Sequence, residues 1–152
     1  MRALHSLPLI AALALLLGGC VSPVVIDHRA GTDFNQYRSY AIEAPDADQE
    51  ALSLNGQRVQ EAVRRELADG PLTPADLDQA DLAVRYAFVP VEKFQGSTLQ
   101  FGFGWFNRGY GMVWEATSRD TLYESMSSER RKERIDVMVA EMFKRFPPGA
   151  AN

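Results

Sequence analysis

Asp81-Leu82-Ala83-Val84-Arg85-Tyr86-Ala87-Phe88-Val89-Pro90-Val91 is the stretch that decides the fold. Leu82, Val84, Tyr86 and Phe88 recur at every second position, and Arg85 falls between them. Side chains alternate across a strand, so the pattern predicts one face on a core and one in water. Upstream, Ser53 is placed to cap a helix running to about Ala68, with Gly70 at its C′ end. Val59, Ala62, Val63 and Leu67 make its apolar stripe, while Arg58, Glu61, Arg64 and Arg65 face water. Downstream, a second helix starts at Ser127 or Ser128 and runs to Pro147-Pro148. Its stripe is Ile135, Met138, Val139, Met142 and Phe146.

The remaining segments are shorter. Val24-Val25-Ile26 and Ser39–Ile42 have the β-branched and aromatic content of strands, and Ala30-Gly31-Thr32 is a polar turn between them. Glu43–Glu50 is an acidic, proline-containing loop, and Pro71 and Pro74 interrupt the chain after the first helix. Gly96–Gly111 interleaves glycines with Phe101, Phe103, Trp105, Phe106 and Tyr110. It is predicted to be a hairpin arm turning at Asn107-Arg108-Gly109, with a return strand from Tyr110 to about Thr117. The expected class is α+β: a small mixed or antiparallel sheet with two helices packed on one face. One domain spans residues 24–148, followed by a disordered tail at 149–152.

Residues 1–19 have a different character. A basic start at Arg2 precedes an apolar run from Leu7 to Leu17, which closes on Leu17-Gly18-Gly19-Cys20. Eleven residues are too few to span a bilayer, which takes roughly 20. The layout is that of a bacterial lipoprotein signal, cut between Gly19 and Cys20. Cys20 would then carry a diacylglycerol on its thiol and an acyl chain on its freed amine. No aspartate follows the cysteine, so the expected location is the periplasmic face of a Gram-negative outer membrane. Residues 20–23 form the tether; its last three, Val21-Ser22-Pro23, reach about 10 Å when extended.

Cleavage leaves 133 residues, with 15 basic against 20 acidic side chains. That balance offers no footprint for nucleic acid. Cys20 is the only cysteine, and His28 the only histidine after residue 19. Disulfides, thiolate metal sites and a histidine-based triad thus have little to work with. No catalytic residue, metal ligand or cofactor is expected beyond the acyl chains. Asp76, Asp78 and Asp81 lack the glycine and distal glutamate of a calcium loop. Glu129-Arg130-Arg131-Lys132-Glu133-Arg134 mixes signs as a solvated helix face does.

Several stretches together resemble the bacterial lipoprotein family catalogued as domain of unknown function 4136. They are Asp33-Phe34, Tyr37-Arg38-Ser39-Tyr40, Glu66-Leu67-Ala68, Ala80-Asp81-Leu82-Ala83-Val84, Val113-Trp114-Glu115 and Phe146-Pro147-Pro148. The resemblance covers nearly all of the mature chain. It implies an α+β fold with two helices on a sheet and no known catalytic residues. Members usually have a further strand between the Gly-rich loop and the Val-Trp pair. Here Gly111 runs almost straight into Val113-Trp114. Either Thr98–Trp105 takes that strand's place, or the sheet is one strand smaller.

The expected function is a non-enzymatic structural or interaction module of the envelope, held to the membrane by its lipid anchor. The alternative is a glycan- or lipid-binding module that uses the arm 98–117. Trp105, Phe106 and Tyr110 are the residues expected to meet an envelope protein or glycan, because aromatics offer large contact area at low rotamer cost.

Overall fold

A computed structural model describes residues 24–43, 53–91, 96–105 and 110–147, with the backbone path alone at 101–105 and 110. Within them the chain forms β1 (Val24–His28), β2 (Ser39–Glu43), α1 (Leu54–Leu67), β3 (Thr73–Pro74) and β4 (Leu82–Val91). It continues through β5 (Gly96–Trp105), β6 (Tyr110–Ser118), β7 (Leu122–Tyr123) and α2 (Ser128–Phe143). One mixed sheet runs in the order β1-β6-β5-β4-β2-β3, with β7 paired to β5 beside the end of β6. This is the α+β class expected from the sequence.

The alternation in β4 sets the inside and outside of this sheet. Leu82, Val84 and Tyr86 are buried, Phe88 is half-buried, and Arg85, Ala87 and Val89 are exposed. β2 lies parallel to β4, with Tyr40 opposite Leu82 and Ile42 opposite Val84. A parallel neighbour requires a crossover, and α1 is that crossover. β5 is antiparallel to β4 along its whole length, from Val91↔Gly96 to Ala83↔Gly104. β6 then returns beside β5, and β1 closes the sheet antiparallel to β6. Gly96–Trp105 is thus a full strand, which settles the strand count in favour of that segment. The predicted hairpin is present, with its return strand from Tyr110 to Ser118, and its first strand is a central one paired on both edges.

Both helices cover one face of this sheet. Val59, Ala62, Val63 and Leu67 of α1 share a single core with Ile135, Met138, Val139, Met142 and Phe143 of α2. The strands contribute Tyr40, Leu82, Val84, Tyr86, Leu99, Trp114 and Ala116 to the same core. The two helices run parallel, and polar bonds fix their register. Arg58 donates to Ser128 Oγ near both N-termini, and Arg65 reaches Asp136 at 3.2 Å two turns further along. Ser53 and Ser127 cap them, each hydroxyl accepting from the backbone N–H three residues on.

The C-terminal ends of the two helices differ from expectation in detail. α1 ends at Leu67 with Ala68 as its cap, and Gly70 is not left-handed; the one left-handed glycine among the described residues is Gly31 (φ 76°), in the turn after β1. α2 stops at Phe143, before the two prolines. Phe146 therefore lies past the helix and folds back on Trp114 and Phe143, with ring centroids 5.2 and 6.2 Å away. Phe34, from a single 3₁₀ turn at Phe34–Gln36, completes this cluster at 5.7 Å from Phe146.

The junction of Gly111 with Val113-Trp114 is explained by irregular pairing. Phe103 pairs with Trp114, but Gly104 pairs with Met112 and Trp105 with Tyr110. β6 therefore carries extra residues opposite β5, as a bulge does. Consecutive residues of a regular strand point to opposite faces, yet Val113 and Trp114 are both buried. The bulge is what allows this.

Two stability outcomes follow from the helical layer. Met142→Ala should cost about 2–5 kcal/mol, the usual range for truncating a buried methionine. Val137→Ala on the same helix, at a position half exposed, should shift the urea midpoint little. Asp136 is held below the ordinary carboxylate range: burial raises it, but bonds from Lys132 and Arg65 outweigh that effect. A depressed folded-state value contributes stability above the unfolded pKa, about 3.9, and loses it as pH falls through the folded value. Asp136→Asn should therefore lower the melting temperature at neutral pH, with the difference from wild type closing at still more acid pH.

Candidate functional site

Strand direction gives the molecule two distinct ends. At one, which we call the β1-entry end, lie the start of β1 at Val24, the ends of β2, β4 and β6, β7, and the N-termini of both helices. At the other lie the end of β1, the end of β5 and start of β6, the 3₁₀ turn and the C-terminal ends of both helices. Each end carries an open cleft of about 300 Å³, at the lower limit for enclosing a small ligand.

The cleft at the β1-entry end is lined by Asn55 of α1, Phe88 and Pro90 of β4, Leu122 and Tyr123 of β7, and Arg131 of α2. It exists because β7 approaches β5 closely. A Cβ on Gly96 would lie 2.4 Å from the Leu122 carbonyl oxygen and 2.8 Å from Thr121 Cγ2. Only glycine fits there without a shift. Arg131 is fixed along the cleft, donating to the Met126 and Glu124 carbonyls at 3.1 and 2.6 Å. Leu54, the first residue of α1, is the most exposed large apolar side chain described, at 67%.

The cleft at the opposite end is formed by Asp27, His28 and Arg29 against Met112–Glu115. His28 is exposed, and its backbone N–H donates to the Asp27 carboxylate at 2.8 Å. Among the described residues no serine, threonine or cysteine lines this cleft. Among the described residues no three His, Cys, Asp or Glu side chains gather as a metal cluster. The sheet face turned away from the helices mixes ion pairs with exposed Val25, Ala87 and Val89. Arg85 holds Glu43 through two bonds of 2.6 and 2.7 Å, and Gln100 bonds Glu115.

Trp105 and Tyr110 form the last pair of the β5–β6 hairpin. Their side chains, Phe106, the Asn107-Arg108-Gly109 turn, and Gly19 and Cys20 lie outside the described residues. Phe101 and Phe103 sit opposite buried Tyr86 and Val84 on one side and buried Ala116 and Trp114 on the other.

Asp81 is the residue whose role the sequence left unread. Its carboxylate accepts from the backbone N–H groups of Arg38 and Ser39 at 2.8 and 3.1 Å and from Ser39 Oγ at 3.1 Å. Ser39 Oγ in turn accepts from the Asp81 N–H at 3.0 Å. The pair clasps the starts of β2 and β4 together. Asp76 serves as a turn residue, its carbonyl accepting from the N–H groups of Gln79 and Ala80.

A mixed sheet with two parallel helices on one face and open clefts at its ends defines a small α+β module. The chain belongs to the family described as Domain of unknown function (DUF4136), whose model matches residues 24–112. Among solved structures it is similar to a DUF4136 family protein from Bacteroides thetaiotaomicron, with a TM-score of 0.61 at 12% identity. That match covers 84% of this chain and 96% of the other. It is also similar to a PDZ domain protein from Parabacteroides distasonis, with a TM-score of 0.60 at 18% identity. There 86% of this chain is covered, but it spans only 36% of that protein's length. No curated protein matches the sequence. At these identities the likeness is one of fold.

Gly96→Ala should destabilise the protein by about 1–3 kcal/mol, because the new methyl overpacks the β5–β7 contact. Gly111→Ala, where the nearest atom to an added Cβ is Arg29 Nη2 at 3.8 Å, should be nearly neutral. Chemical denaturation of the two variants checks the contrast.

Proposed function

We propose that this chain is a lipid-anchored envelope protein: cleaved after Gly19, acylated at Cys20, and held at the periplasmic face of the outer membrane. There it acts as a non-enzymatic structural or interaction module. The observation that carries the reading is the position of β1. The sheet takes up its first strand at Val24, four residues past Cys20, so a lipid on Cys20 would sit close to the folded domain. The apolar run Leu7–Leu17 has the length and composition of a signal segment. No helix among the described residues is long and apolar enough to cross a membrane, so a covalent lipid would be the means of attachment.

β5 is paired along both edges and offers no free backbone edge to a ligand, and the reading as an interaction module does not depend on residues 98–117. The second face of the sheet, with its ion pairs beside exposed Val25 and Val89, and the two end clefts offer contact surface of the kind an interaction module uses.

Cys20→Ala should abolish incorporation of a palmitate analogue in cells and leave the uncleaved precursor to accumulate. Equal labelling of variant and wild type would overturn the anchored reading.

A further inference from the structure

We propose that the β1-entry end of the molecule is seated on the bilayer, with Leu54, Val89, Pro90 and Tyr123 touching its interfacial region. This rests on the acylation of Cys20 proposed above and adds to it which surface meets the lipid and through which side chains.

Two observations combine here. The chain enters β1 at Val24 from this end, antiparallel to β6, whose last residue Ser118 is Val24's partner. Val21-Ser22-Pro23 cannot span more than about 10 Å, so an acylated Cys20 holds this end that close to the headgroups. The same end exposes Leu54, Val89 and Tyr123, at 67%, 38% and 37%, from α1, β4 and β7. Pro90 is exposed beside them and shares the cleft with Tyr123. Apolar side chains on a surface held against headgroups remove area from water when they enter the interface. Tyr123 suits that boundary, with an apolar ring and a polar tip.

Exposure alone does not select this end. Leu77 and Met112 are exposed at 43% and 46% at the opposite end. The site of chain entry makes the distinction. Charge does not do so either. Arg58, Arg119, Arg130, Arg131 and Arg134 stand at this end among Asp120, Glu124, Glu129 and Glu133, a mixture of signs with no single-sign patch. The contact is therefore apolar and insensitive to salt.

The test uses the full, acylated chain in vesicles of phosphatidylethanolamine and phosphatidylglycerol that contain a lipid spin-labelled near its headgroup. Leu54→Cys, Tyr123→Cys or Leu77→Cys carries an environment-sensitive fluorophore; Cys20, alkylated by the anchor, does not react. The expected result is loss of fluorescence at positions 54 and 123, none at 77, and no change in high salt. Vesicle-bound protein with equal quenching at all three positions, or none at 54 and 123, would overturn the seat while leaving the anchor intact. Protein that fails to float with the vesicles would overturn the anchored reading, and the seat with it.

Discussion

One-sided burial of the sheet is the constraint on which the rest of the structure depends. Leu82, Val84 and Tyr86 in β4 commit one face to a core, and every neighbouring strand must match that phase or expose its apolar residues. β2 does so in parallel register and β5 in antiparallel register. With a single dry face, both helices must pack on the same side. The strand before each helix finishes at the same end, so both helices run from that end and lie parallel. Arg58–Ser128 and Arg65–Asp136 are consequences of this arrangement. As half-exposed contacts they fix register more than they add stability.

The same topology gives the two ends different characters. At the end away from the β1 entry, Phe34, Trp114, Phe143 and Phe146 converge from a 3₁₀ turn, a bulged strand, a helix terminus and the segment beyond it. Edge-to-face aromatic contacts of this kind close the core where the helices stop. The β1-entry end lacks such a plug among the described residues. It ends instead in helix N-termini, the short strand β7 and a cleft. An aromatic cluster at one end, and helix N-termini with exposed Leu54 and Tyr123 at the other, make a molecule with a direction. A tether attached next to β1 would orient it.

Much of this was legible in the sequence, and the physics says which part. Helical spacing identified Val59, Ala62, Val63 and Leu67, and Ile135, Met138, Val139 and Met142, because an amphipathic helix writes its buried face at a fixed period. Alternation identified β4 for the same reason. The caps at Ser53 and Ser127 are local chemistry and could be read locally. The two-residue strands β3 and β7 could not, since pairs such as Thr73-Pro74 and Leu122-Tyr123 carry no period. β7 exists because Gly96 lets another backbone come within reach, a fact about two segments and not about either.

By itself the sequence determined the class of fold, the two helices with their buried stripes, and the family resemblance that the matched model bears out over residues 24–112. Each depends on contacts between residues near one another in the chain, where spacing is a direct record of geometry. Tertiary structure alone decided that the Gly- and aromatic-rich segment is a central strand, and that Val113 and Trp114 both turn inward. It also decided that Asp81 clasps Ser39 where β2 and β4 begin, and that Leu54 and Tyr123 are exposed at the end where β1 enters. These are pairings between segments far apart in the chain. No local pattern encodes which strand will lie beside which, because strand order is set by how the whole core closes.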